Sequence, residues 1–380
     1  MSDEKYKKAA HLIVKAGVLP TPVNKTLIEI LKLQLTEDEL DFINAFKRKT
    51  SQTMEQLKKS SKLPENQILS FVKGLAKKGF IFNQSSSTGV MVYRLLPLLM
   101  VGAFEYLYMK KIEYTEFDKK LAKMFLDYFE ETRDFIQGNY DQVLPIFEKM
   151  LPIDRTMPIL AKTLQGDEIN LSLNEEIEVP EEIILPTQKV EELIEKFDEI
   201  SVGHCFCRHH RDILGKPCKH TDLRENCFTF GKSARYIAEQ GFGRSISKEE
   251  ALDIMKKSED DGLIHKAFHP HSDISKVETS ICNCCKDCCG TLEWWRMGII
   301  ALINSTNFLS QIDPDLCSGC GTCVEKCPVD AIELNDSDIA VVNTECCFGC
   351  GVCAHFCPEN AITLLEGMRK VYVPPPRLRL

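Results

Sequence analysis

The first 204 residues contain no cysteine, although the chain has 380 residues and 18 cysteines in all. One half of the molecule therefore folds without thiols and the other is saturated with them. Long apolar runs are also missing. The strongest, such as Met297–Ile303, fall well short of the roughly 20 residues that a membrane span requires, so no span is expected. The opening Met-Ser-Asp-Glu-Lys has neither the apolar stretch nor the small-residue cleavage site of a secretory signal. This argues against a secreted disulfide scaffold and for a reducing cytoplasm, where thiols ligate metals rather than pair. No G-x-G-x-x-G follows a strand pattern and no G-x-x-x-x-G-K-[ST] occurs; Gly241-Phe-Gly243 is too short a match. Without a nucleotide or flavin motif, and with no Ser/His/Asp or paired-carboxylate signature, the chain is not expected to carry a two-electron reaction alone.

What is present describes a folded protein of two to four domains, at roughly 100–200 residues each. Its 44 % apolar and 27 % charged composition is that of a globular chain. Charge is unevenly placed. Residues 1–100 carry 16 Lys and Arg against 9 Asp and Glu, a balance of +7; with −9 overall, the remainder carries −16. Halves of opposite sign suggest different partners.

In the basic half, Thr36-Glu-Asp-Glu39 is a capping box opening a helix with Leu40, Ile43 and Phe46 on its apolar face. Thr53-Met-Glu-Gln56 repeats the device for a helix ending near Leu63. Pro64 suits the first turn of a third helix carrying Ile68, Phe71, Val72 and Leu75, which Gly79 stops. Phe80–Phe82 and Val90–Leu95, around a Ser/Thr/Gly turn at 85–89, read as a hairpin. Three short helices and a hairpin over residues 36–96 resemble the winged helix–turn–helix fold. The resemblance implies nucleic-acid contact through the third helix, where Lys73, Lys77 and Lys78 stand, with Lys58, Lys59 and Lys62 beside it. The same lysines also read as a solvated face of a protein-docking or dimerisation module. Gln67 is the one candidate for base-edge readout, so strong sequence specificity is not expected.

Residues 100–165 read as amphipathic helix, with Phe104, Leu107, Met109, Phe117, Leu121, Phe125, Phe129 and Phe135 as a core or homodimer stripe. A Pro- and acid-rich linker is expected over Gly166–Pro186, and a helix over Val190–Phe197.

The C-terminal cysteines carry the strongest pattern. Cys317-x2-Cys320-x2-Cys323-x3-Cys327-Pro328 recurs thirty residues later as Cys347-x2-Cys350-x2-Cys353-x3-Cys357-Pro358. Flanking Ile312-Asp-Pro-Asp315 matches Val342-Asn-Thr-Glu345, and Ala331-Ile332 matches Ala361-Ile362, so the segment is an internal duplication. Two-residue spacers let three thiolates converge on one face of a cubane cluster, and the glycines permit tight turns whose N–H groups can bond sulfide. A zinc ribbon would need only two C-x2-C pairs. Residues 311–366 resemble the bacterial-type ferredoxin domain with two [4Fe–4S] clusters. In that family the fourth cysteine of each run ligates the other cluster. The resemblance therefore implies one set of Cys317, Cys320, Cys323 and Cys357, and another of Cys347, Cys350, Cys353 and Cys327. Cys346 stands where the first repeat has Leu316 and reads as a packed apolar thiol.

Nine further cysteines precede this domain: Cys205, Cys207, Cys218, Cys227, Cys282, Cys284, Cys285, Cys288 and Cys289. Cys282, Cys285 and Cys288 reproduce the C-x2-C-x2-C triplet. The alternation of neighbouring side chains leaves Cys284 and Cys289 for a second site. One or two further iron–sulfur clusters are expected here; the alternative is a structural zinc on Cys205, Cys207, Cys218 and Cys227. Cys288-Cys289-Gly290 also resembles the Cys-Cys-Gly motif of heterodisulfide-reductase-type subunits, in those three residues only. Histidines flank both groups, at 204, 209, 210 and 220 and at 265, 269 and 271, and none is assigned as a ligand. Ser247-Lys-Glu-Glu250 caps a helix running to Gly262.

The expected architecture is a multidomain α+β chain. A winged helix-like domain (1–99), a helical region and linker (100–200), a cysteine-rich iron–sulfur domain (201–308), a two-cluster ferredoxin domain (309–368) and a tail (369–380) follow in order. The expected function is single-electron relay to a partner oxidoreductase, as carrier or subunit. The alternatives are a redox-sensing DNA-binding regulator and a redox enzyme with substrate at a middle cluster. The layout resembles uncharacterised ferredoxin-containing proteins of anaerobes, a similarity that brings no activity with it.

Overall fold

A computed structural model describes residues 2–86, 88–152, 154–159, 189–269 and 278–379. The linker expected at Gly166–Pro186 and His271 lie outside the described residues. The chain forms two compact units. The first is Met1–Gly138 with Ser201–Pro217 and Lys232–Ser245; the second is Asn139–Ile200, Cys218–Gly231 and Ile246–Leu380.

The first unit opens with α1 (Ser2–Lys15), α2 (Lys25–Gln34), α3 (Glu37–Ile43), a 3-10 turn (Asn44–Phe46), β1 (Ser51–Thr53), α4 (Met54–Ser61), α5 (Glu65–Lys77), β2 (Ile81–Ser85), β3 (Met91–Leu95), α6 (Ala103–Met109) and α7 (Glu116–Gly138). The second unit begins with α8 (Tyr140–Glu148), β4 (Asp154–Met157) and α9 (Val190–Glu195). Then come β5 (Ile200–His204), α10 (Phe206–Ile213), β6 (Glu225–Phe230), α11 (Lys232–Gln240), β7 (Arg244–Ile246) and α12 (Lys248–Asp260). The chain continues with β8 (Ile264–Phe268), β9 (Ser280–Cys284), α13 (Gly290–Arg296), β10 (Leu302–Ile312), α14 (Thr322–Lys326), β11 (Ile332–Leu334), β12 (Ala340–Val342), α15 (Val352–Phe356) and β13 (Ile362–Val373).

Local chemistry accounts for the early helices. The Thr36 hydroxyl accepts the Glu39 N–H at 3.4 Å, while the Glu39 carboxylate accepts the Thr36 N–H at 2.8 Å. Thr53 and Gln56 do the same for α4. Pro64 stands one place before α5, as its N-cap, rather than inside its first turn. Leu40, Ile43, Phe46, Leu57, Ile68, Val72 and Leu75 are buried, and β2 and β3 pair as an antiparallel hairpin. An unexpected short strand, β1, adds to its β3 edge (Ser51↔Arg94).

The 100–165 region departs from an all-helical reading in two ways. Phe104, Met109, Leu121, Phe125 and Phe129 are buried, but Phe117 (49 %) and Phe135 (42 %) are exposed. The inward face of α7 starts at Leu121 and continues through Thr132 and Ile136, which leaves Phe135 off it. Residues 154–157 are a strand, β4, buried along its length despite its polar sequence Asp-Arg-Thr-Met. Remote partners make that burial tolerable: Lys266 pairs with Asp154 at 2.6 Å and Glu278 with Arg155 at 2.5 Å.

Six strands of the second unit run in the order β13-β10-β4-β8-β9-β6. Neighbours are antiparallel except β10 and β4, which are parallel. Because β13 reaches Val373 opposite Leu302, the start of the expected tail is strand. The register sets Cys227 opposite Cys282, Cys282 opposite Lys266, and Cys284 opposite Ile264. Register partners share a sheet face, as do residues two apart, so Cys227, Cys282, Cys284 and Lys266 lie on one face.

Candidate metal centres

The two C-terminal repeats fold alike. Gly321 and Gly351, at φ +73 and +76, turn the chain into α14 and α15. The fourth cysteine of each run accepts the N–H four residues on: Ala331 to Cys327 Sγ at 3.2 Å and Ala361 to Cys357 Sγ at 3.3 Å. The sulfurs then cross over. Cys357 joins Cys317, Cys320 and Cys323 around one pocket, whose wall also includes Ile312, Leu334 and Ile362. Cys327 lies within electrostatic reach of Cys347, Cys350 and Cys353. Four converging thiols, one pair of helices and backbone donors aimed at sulfur are a donor set fitted to iron–sulfur ligation.

The middle cysteines of the second unit fall into two groups. In the second unit, Cys218, Cys285 and Cys288 gather their sulfurs within 4.8 Å of one another, with Cys218–Cys285 at 3.6 Å and Cys285–Cys288 at 3.0 Å. Cys227 faces Cys282 at 4.0 Å, and Cys284 bonds to the thiols of Cys282 and Cys289. So Cys282 stands with Cys227 on the sheet, not beside Cys285 and Cys288 as its triplet spacing suggests; a strand turns successive residues to opposite faces, and Cys285 has already left β9. Cys218 and Cys227 likewise belong to different groups. Cys205 and Cys207 lie in the first unit, at the start of α10. The Cys207 thiol holds Cys205 down to about 6 despite burial, with Arg208 adding to the effect.

Residues 298–364 match the family described as a 4Fe-4S dicluster domain. The C-terminal part of the chain is a 4Fe-4S dicluster ferredoxin domain. The chain is also 51 % identical over 35 residues to a "Probable ferredoxin" of Methanosarcina thermophila, an overlap of 9 % of this chain and 60 % of that relative's length. No solved structure matches the chain.

Within the ferredoxin domain the surroundings differ. Cys320 is exposed and Cys317 half-buried, whereas Cys347, Cys350 and Cys353 are buried. Thr322 lowers the Cys320 thiol, while burial pushes Cys353 up to about 12 and Cys350 well above the usual thiol range. Buried thiolates are tolerable only beside a compensating cation, which bound iron would provide. Ser310 lies 3.2 Å from Cys353 Sγ, and Arg369 donates to the Thr344 and Cys347 carbonyls. Cys346 is partly buried, consistent with a packing role.

Lys266, Asp154, Ser310 and Arg369 were not marked by any motif; the one available signal is a lysine set among Ile264, Ala267 and Phe268. Burial opposes the Lys266 charge, but Asp154, Cys284 and Cys289 outweigh it and push its pKa up. Its ammonium lies 5.6 Å from the Phe348 ring, between the middle cysteines and the second repeat. Four of the flanking histidines bond within the fold. His209 and His210 bond the Tyr108 and Ala122 carbonyls, His265 bonds Asn283, and His220 the Asp261 carbonyl.

Proposed function

We propose that this chain is an iron–sulfur electron-transfer protein that relays single electrons to a partner oxidoreductase. Cys317, Cys320, Cys323 and Cys357 would hold one [4Fe–4S] cluster, and Cys327, Cys347, Cys350 and Cys353 the second. Cys227, Cys282, Cys284 and Cys289 would hold a third. Such clusters accept and release single electrons. The observation that carries the reading is core continuity. Cys284, Cys289, both fourth cysteines and the thiols of the second repeat belong to one packed core, with Cys282 and Cys317 against it. The protein's own groups exclude water from the inner thiols, donate N–H groups to sulfur, and place Lys266 where it offsets negative charge. At the surface, exposed Cys320 and Leu316 lie among Asp313, Asp315 and Glu325, which suits a partner with a basic docking face. Among the described residues no helix is long and apolar enough to cross a membrane.

Iron and acid-labile sulfide analysis of anaerobically purified protein tests this reading. At least about eight iron atoms per chain are expected from two cubanes; fewer would remove the double-cluster assignment.

A redox-sensing DNA-binding regulator is the second reading. Its support is the order α3, α4, α5 and hairpin, a winged helix-like layout, together with the exposed Lys59, Lys62, Lys73 and Lys77. Against it, Lys58 pairs with Glu55 and Glu65, Lys78 with Glu39, and the hairpin tip offers no cation. A mobility-shift assay with oxidised and reduced protein decides: no salt-dependent binding in either state removes the regulator. Analytical ultracentrifugation of the same samples tests the expected homodimer.

A further inference from the structure

Spacing separates one group of thiols from all the others. Where one tetrahedral ion binds several thiolates at about 2.3 Å each, the sulfurs stand about 3.8 Å apart. In a cubane each thiolate sits on a different iron, so the sulfurs stand farther apart. The two ferredoxin sets provide the internal reference for cubane ligation. Among the described residues, neither of those sets brings three sulfurs mutually within 4.8 Å, and nor does the group of Cys227, Cys282, Cys284 and Cys289. Cys218, Cys285 and Cys288 do, with separations of 3.6 Å and 3.0 Å.

The packing separates them as well. Cys284 and Cys289 belong to the core shared with the ferredoxin cysteines. Their sequence neighbours Cys285 and Cys288 turn instead into a small separate core with Cys218, Leu263 and Leu223. Cys218 is carried by a segment without helix or strand, between α10 and β6. That segment is pinned to the 285–288 loop by the Lys219 N–H, which donates to Asp287 at 2.9 Å, and to the end of α12 by His220 on the Asp261 carbonyl. Backbone N–H groups of His220 and Thr221 also point at the Cys218 sulfur. Three buried thiols, with Cys218 and Cys285 lying 67 residues apart in sequence, thus close a long loop.

We infer that Cys218, Cys285 and Cys288 form a single-ion thiolate site for zinc, distinct from the iron–sulfur centres and acting as a clip on the 218–224 segment. Zinc suits the site because it is tetrahedral, prefers thiolate and is redox-inert beside an electron path. Among the described residues these three donors are the ones whose ligand atoms all lie within 4.8 Å of one another. The inference goes beyond the electron-transfer reading and does not depend on it, since zinc and iron are counted separately.

The test is elemental analysis of anaerobically purified holoprotein and of Cys218→Ser and Cys285→Ser. The expected result is one zinc per chain in the native protein, lost in both variants, with iron and sulfide unchanged. Loss of about four iron atoms in the variants, with no zinc in the native protein, would overturn it in favour of a cubane. So would a Cys285–Cys288 disulfide found by mass spectrometry of alkylated native protein. Should the variants fail to fold, X-ray absorption at the zinc edge of the native holoprotein still decides. Three sulfur neighbours at about 2.3 Å support the site; an absent zinc signal or a first shell without sulfur refutes it.

Discussion

The two halves of the ferredoxin domain share a motif and occupy different environments. The first repeat presents Cys320 to solvent, with Leu316 54 % exposed beside Cys317. The second packs Cys347, Cys350 and Cys353 beneath Phe348, β10 and the loop after β4, where the Ile159 N–H bonds the Cys350 carbonyl at 3.0 Å. Identical spacing gives both sets the same donors, while the packing around them differs, and on the proposed function that packing would decide their place in a relay. An exposed centre can exchange electrons with a docked partner. An enclosed one exchanges with neighbouring centres, and its potential depends on the few charges left near it, Lys266 and Arg369 foremost.

The largest expected difference comes from removing one thiol on each side. Cys350→Ser should cost about four iron atoms and leave a core that no longer folds tightly, seen as lost iron and lowered thermal stability. Cys320→Ser should affect iron at the outer set alone and leave the thermal transition near that of the native protein. Equal destabilisation by the two would break the contrast. Next is the buried ion pair. Lys266→Met leaves Asp154 buried without its cation and should destabilise by about 3–5 kcal/mol in urea unfolding. The double variant Lys266→Met, Asp154→Asn should recover much of that loss. In any folded fraction, the inner potential should move to more negative values, because the reduced, more negative state loses its nearby cation. The smallest difference is at the glycine pair. Gly321→Ala meets nothing within 4 Å and should cost about 1 kcal/mol for its left-handed backbone alone. In Gly351→Ala the new Cβ would also come to 2.7 Å from the Ile159 carbonyl oxygen, raising the cost to about 2–3 kcal/mol. Matching chemical denaturation curves would show that the second repeat is no more enclosed than the first.

Much of the first unit's local structure was legible because its signals are local. The capping boxes at Thr36 and Thr53 and the turn at 85–89 each act within a few residues. The duplication was equally plain, since its spacing is part of the chemistry. β4 was hidden because Asp154 and Arg155 become buriable only through Lys266 and Glu278, more than a hundred residues away. The grouping of the middle cysteines was hidden for a related reason. The triplet spacing at Cys282, Cys285 and Cys288 resembles that of the ferredoxin runs, but Cys282 belongs to β9 and takes its neighbour from the register with Cys227. Three helices with Cys207, Ala234 and Leu292 among their residues, α10, α11 and α13, also appear where only the helix after Ser247 was foreseen.

On the proposed function the ferredoxin domain carries single electrons on two iron–sulfur centres, one outer and one inner. Electron paramagnetic resonance during an anaerobic potentiometric titration tests it most directly. Two one-electron centres of the ferredoxin domain, beside the third on the middle cysteines, are expected to broaden each other's reduced signals, with the outer signal altered in Cys320→Ser while the inner one persists. A protein that shows no reducible iron–sulfur signal, or only one centre in the native chain, would contradict it.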